Sequence, residues 1–117
     1  MLIQASERKI KLKKLVRDHY EAWNKKDLKS ALEIFGDKFA YHAKDGNKTV
    51  SDVQKYFIEK TEEFPKMKIT VESYAVDGNQ VAICGKCTGK GDKPEQFADF
   101  WLFKGDKASD LWCYDLV

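Results

Sequence analysis

The chain has 117 residues, 43% of them hydrophobic and 34% charged, with 21 Lys and Arg against 19 Asp and Glu for a net charge of +2. That length predicts one domain over residues 1–117, able to bury a core without staples. A charge so near balance gives no argument for nucleic acid. The polar start Met1–Arg8 lacks the apolar run of a leader, and no later stretch could span a membrane. A cytoplasmic protein with no membrane and no nucleic-acid partner is the expectation, and three cysteines, an odd count, fit reduced thiols there.

From about Ser6 to Trp23, Leu12, Leu15, Val16, His19, Tyr20 and Trp23 recur at helical spacing, with Lys and Arg on the opposite side. The early basic cluster, Arg8 to Arg17, reads as the solvated face of this helix. His19 falls on the apolar stripe. It is either a core histidine with one hydrogen bond or a polar group aimed into a cavity. Asn24–Asp27 breaks the period. Asp27 is the expected N-cap of a short second helix carrying Leu28, Ala31, Leu32 and Phe35, and Gly36 is the expected stop.

Lys38–Ala43 reads as a strand with Phe39 and Tyr41 on one face and Ala40 and His42 on the other, His42 being the outward one. Asp45-Gly46-Asn47 reads as a turn. Ser51-Asp52-Val53-Gln54 has capping-box spacing and opens a third helix, with Val53, Tyr56, Phe57 and Phe64 inward and Pro65 as terminator. Met67–Val76 alternates with Ile69, Val71, Ser73 and Ala75 on one face. Asp77-Gly78-Asn79 is a hairpin turn before a strand from Gln80 to Thr88.

Cys84-Gly85-Lys86-Cys87 has the spacing of a redox or zinc half-motif, but it falls in a strand, where residues three apart face opposite ways. No second Cys or His pair completes a metal site. Gly89–Pro94 is a longer turn without phosphate-loop spacing. No metal and no cofactor is therefore expected.

Gln96–Phe103 is the most informative stretch. Phe97, Asp99, Trp101 and Phe103 share one face, and Ala98, Phe100 and Leu102 the other. Two apolar faces predict a central strand covered on both sides. An ionised carboxylate buried there must be paired, protonated or open to a solvated cavity. Asp99 is thus either a structural acid held by hydrogen bonds or the centre of a site. A last strand runs through Leu111–Leu116. Helices segregated from a meander of strands define an α+β fold: a cone-shaped, curved antiparallel sheet with three helices from the N-terminal half on its concave face. The hollow left between them suits a small ligand.

Two stretches carry a family resemblance. One is Tyr20-Glu21-Ala22-Trp23-Asn24-Lys25-Lys26-Asp27-Leu28 with the following Leu32–Asp37. The other is the final strand pair, Phe97–Asp106 and Trp112-Cys113-Tyr114-Asp115. Over nearly its whole length the chain resembles the nuclear transport factor 2-like (cystatin-like) superfamily, and within it the SnoaL-like polyketide cyclases and ketosteroid isomerases. The resemblance implies a homodimer and a small hydrophobic or aromatic ligand. Asp99 matches the strand acid that serves as base in the cyclases; in the isomerases the matching acid stays protonated. The isomerase's oxyanion tyrosine falls on His19 and its base on Ala43, so the full isomerase machinery is not expected.

Two functions follow from these readings. One is a cofactor-independent cyclase, isomerase or lyase acting on a carbonyl compound, with Asp99 as general base and His19 as its partner. Trp23, Tyr41, Tyr56, Trp101, Trp112 and Tyr114 would form an aromatic wall for the ligand. The other is a non-catalytic ligand-binding or dimerisation module of the same fold.

Overall fold

The computed structural model describes residues 2–116, with side chains for residues 6–115. In chain order the elements are α1 (Leu2–Asn24), α2 (Leu28–Leu32), β1 (Phe35–Ala43), β2 (Gly46–Lys48), α3 (Val50–Glu63), β3 (Lys68–Asp77), β4 (Gln80–Thr88), β5 (Glu95–Lys104) and β6 (Lys107–Leu116). The strands form one open sheet in the order β2-β1-β6-β5-β4-β3.

The sheet is mixed, not antiparallel throughout. Short turns join β3 to β6 in sequence, and such links force antiparallel neighbours. β1 and β6 have no such link. They are separated by α3 and four strands, and they pair in parallel, Tyr41 beside Leu111 and His42 beside Trp112. The expected turn at Gly46 also contributes a short strand, β2, against the end of β1.

The stripe on α1 forms as expected. Leu12, Val16, His19 and Tyr20 are buried, and the core they join holds Val81, Ile83, Trp101 and Phe103 from β4 and β5. Each fully buried aliphatic chain contributes about 2 kcal/mol of apolar transfer. A smaller cluster of Ala22, Ala31 and Phe57, with Trp23 and Leu28 beside it, joins the three helices. Part of the basic face of α1 is a tie, not a solvated surface. Arg8 donates to Asp106, Asn79 and the Gly105 carbonyl, at the tips of two hairpins, and Lys11 pairs with Asp106 at 2.8 Å.

Asp27 caps α2 as expected, its carboxylate accepting from the Ser30 amide. Gly36 does not stop that helix, which ends at Leu32; the glycine lies inside β1. The cap of α3 also sits earlier than Ser51. Thr49 accepts from the Asp52 amide, and the Asp52 carboxylate accepts from the Thr49 amide. The reciprocal pair needs only a hydroxyl and an acceptor three residues on, and Thr49 and Asp52 satisfy it. α3 stops before Pro65, with Phe64 as its C-cap.

β3 departs from simple alternation. Ile69 and Val71 point inward, but so do Tyr74 and Val76, not Ser73 and Ala75. The pairing with β4 slips between Val71 and Ser73, so Glu72 is an extra residue that reverses the phase. Gly85 sits opposite this bulge, where a Cβ would come within 2.2 Å of the Thr70 carbonyl oxygen. Only glycine allows the two backbones so close. Cys84 and Cys87 diverge as expected: the Cys84 thiol meets the Ser73 hydroxyl, whereas Cys87 turns toward the cavity. The outer face of β5 is not covered in the single chain, leaving Phe100 46% exposed.

Candidate functional site

Between the helices and the inner face of the sheet lies a cavity of about 620 Å³ that opens to solvent. Asp99, Trp101 and Phe97 reach it from β5, Cys113 and Asp115 from β6, and His19, Tyr20 and Trp23 from α1. Alternation along β5 explains the first set, and the stripe on α1 the last.

Asp99 is 6% exposed, and its Oδ2 accepts a short hydrogen bond from the Tyr20 hydroxyl. That hydroxyl in turn accepts from the Trp101 indole N–H at 3.0 Å. Cys113 stands directly opposite Asp99 in the β5–β6 pairing, so its thiol flanks the same carboxylate. Burial pushes the Asp99 carboxyl up to about 6, partly offset by the Tyr20 and Cys113 contacts, which favour its charged form. Burial and the neighbouring carboxylate hold the Tyr20 phenol well above its ordinary range, so it stays protonated and donates. Tyr41, beside Cys113, is likewise kept protonated, first by burial.

His19 lies one residue from Tyr20 but is bonded differently. Its Nδ1 is 2.8 Å from the Ala31 carbonyl oxygen. A carbonyl only accepts, so Nδ1 carries the proton and a neutral ring keeps Nε2 as an acceptor. Burial lowers the His19 pKa to about 4, which keeps the ring neutral near pH 7. Its edge packs against Tyr20, Phe35 and Trp101, with centroids 5.0–5.5 Å away.

Of the expected aromatic wall, Trp23, Tyr41, Tyr56 and Trp101 line the cavity. Tyr56 does so from the rim, 49% exposed. Trp112 and Tyr114 do not. Both alternate with Cys113 on β6 and so project from the outer face. Trp112 stacks on His42 with centroids 4.5 Å apart, and Tyr114 meets Phe100 at 5.8 Å. Tyr20 is the residue the sequence reading passed over. On the stripe it reads as core, but a tyrosine on an apolar stripe needs a hydroxyl partner, and Asp99 supplies it. The tyrosine of the first helix that meets the acid is therefore Tyr20, next to His19. Ala43 also lines the cavity. Among the described residues no group of His, Cys, Asp and Glu is arranged to hold a metal. No described helix is long and apolar enough to cross a membrane.

The SnoaL-like domain profile matches residues 16–111, and the chain belongs to that family. A search of curated proteins by sequence matches none. Among solved structures, AclR, a proposed hydroxylase from Streptomyces galilaeus, superposes with a TM-score of 0.79 at 18% identity, covering 89% of this chain and 74% of that one. IdmH, a proposed polyketide cyclase from Streptomyces antibioticus, gives 0.76 at 14% identity over 88% of this chain and 90% of its own. TerC, crystallised with polyporic acid, gives 0.77 at 13% identity over 91% and 92%. A cystatin fold protein from Novosphingobium aromaticivorans and an NTF2-like protein from Cytophaga hutchinsonii superpose with TM-scores of 0.77 and 0.74 at 14% and 17% identity, over 86% and 90% of this chain and 95% and 89% of theirs, which shows the nuclear transport factor 2-like, cystatin-like fold.

Proposed function

We propose that the cavity binds a small hydrophobic or aromatic carbonyl compound, and that Asp99 removes a proton next to its carbonyl, as in a cofactor-independent cyclase, isomerase or lyase. The observation that carries this reading is a buried carboxylate, raised to about 6, that borders a cavity lined with rings. Such an acid is ionised at neutral pH yet basic enough to take a proton. The proton passes from the α-carbon to the carboxylate, and the electron pair moves onto the carbonyl oxygen. A donor must meet that oxygen. Neutral His19 commits its one N–H to Ala31, so it positions the aromatic cluster, and the protonated Tyr41 hydroxyl is the better donor. Tyr20 is a positioning residue that fixes one oxygen of the base. The polyketide-cyclase likeness of IdmH and the polyporic acid of TerC are in keeping with this ligand class.

The dense bonding of Asp99 favours a second reading, a ligand-binding module without chemistry. The two are separated by deuterium exchange from D2O into the α-carbon of aryl ketones, with 2-tetralone as first probe. The catalytic reading expects exchange above buffer that Asp99→Asn abolishes while the melting temperature does not fall. Exchange equal in wild type and variant across the aryl ketones leaves only the binding module.

The same reading includes a homodimer and a cytoplasmic setting. Phe100 and Tyr114, 46% and 51% exposed and in contact, form the outward patch a second copy would cover. The three free cysteines suit a reducing compartment.

A further inference from the structure

At the mouth of the cavity two lysines converge on a pair of rings. The Lys60 ammonium stands 5.7 Å from the centroids of both Tyr56 and Phe64, and that of Lys90 stands 5.6 Å from Phe64. Both side chains are mostly buried, 22% and 21% exposed, with stems along the rings. Each ammonium also has carboxylates within ion-pair range, at the long end of it. Lys60 is 3.8 Å from Glu59 and from Glu63, and Lys90 is 3.4 Å from Glu95. Those acids are themselves 50–66% exposed. Lys44 and Lys55 add positive charge to the rim, Asp45 pairs with Lys48 and Asp52 is committed to its helix cap, and the remaining acids there are Asp115 and the lysines' own neighbours Glu59 and Glu95. The two ammonium groups are thus held by rings at the cavity edge, with donor capacity to spare.

We infer that this mouth is a seat for an anionic group on the ligand, between Lys60 and Lys90, while the ligand's aromatic body enters toward Trp101. The inference rests on the cavity being a ligand site and adds the ligand's class and its orientation. Asp99, ionised and buried at the inner end, repels a second anion, and the two lysines attract one. An aromatic anion therefore enters ring first, and its uncharged end is the part that reaches Asp99.

Two dyes that share one ring system test it: 8-anilino-1-naphthalenesulfonate, an anion, and N-phenyl-1-naphthylamine, neutral. Binding is followed by fluorescence and located by backbone amide shifts. The Lys60→Gln/Lys90→Gln double variant is expected to bind the sulfonate about tenfold more weakly and the neutral dye unchanged. Lys60→Arg/Lys90→Arg is expected to retain the sulfonate, and added salt to weaken it in the wild type and in this variant but not in the double Gln variant. If the neutral dye shifts cavity residues but the sulfonate is indifferent to the double variant and to salt, the anion seat is wrong and the cavity reading stands. If neither dye moves cavity residues, the cavity reading fails and takes the seat with it.

Discussion

Asp99 and His19 pull stability in opposite directions as pH changes. Asp99 has its pKa raised from 3.8 to about 6, so its contribution is full below pH 3.8 and is lost as pH rises through about 6. His19 is depressed from 6.5 to about 4, so its contribution is full above pH 6.5 and is lost as pH falls through about 4. Asp99→Asn keeps an oxygen for the Tyr20 hydroxyl but removes the buried charge. It is expected to stabilise the fold at pH 8 by on the order of 3 kcal/mol, and to lose that advantage by pH 4. Urea denaturation at the two pH values checks this. A variant less stable than wild type at pH 8 would make the ionised acid a structural element. The inward acid was legible from alternation in β5 alone. Its partner was not, because helical periodicity places His19 and Tyr20 on one stripe and leaves the choice between them to packing. Ala31 supplied that choice by taking the His19 N–H.

Among elements, the join between α1 and β3 depends on one amide. Asn24 donates to the Ile69 carbonyl at 2.8 Å and accepts from the Ile69 amide at 2.7 Å, so its side chain stands in for a neighbouring strand at the start of β3. Asn24→Ala leaves both half-buried groups without a protein partner, which is expected to cost about 1–3 kcal/mol. The midpoint of urea unfolding measures it, and an unchanged midpoint would mean that water replaces the amide without loss. Helices were legible because α1 and α3 keep a clean period and Asp27 and Pro65 punctuate it. The phase of β3 was not. An extra residue at Glu72 is a property of the β3–β4 pair, which no single strand discloses. The outward setting of Trp112 and Tyr114 is hidden for a related reason. Aromatic residues on both faces of β6 look equally inward until Cys113 is seen opposite Asp99.

At the scale of the molecule, the proposed dimer makes a separable prediction. Phe100→Glu puts a charge on the outer face, away from the cavity, and is expected to turn a dimer into a monomer in sedimentation while dye binding in the cavity survives. Wild type that sediments as a monomer would rule out the dimer. The architecture was legible in outline because segregated helices and a meander leave few arrangements. The parallel contact was not, since it joins residues some seventy positions apart, such as Tyr41 and Leu111, by a crossover that composition does not mark.

That contact has a consequence for how the molecule comes into being. β6 lies between β1 and β5, so the sixth strand in chain order is the keystone of the sheet. Until it pairs, β1 and β5 each present a bare edge, and the hollow lacks Cys113, Leu111 and Asp115. The five strands before β6 cannot close the sheet without it, so its pairing with β1 is the long-range step on which closure depends.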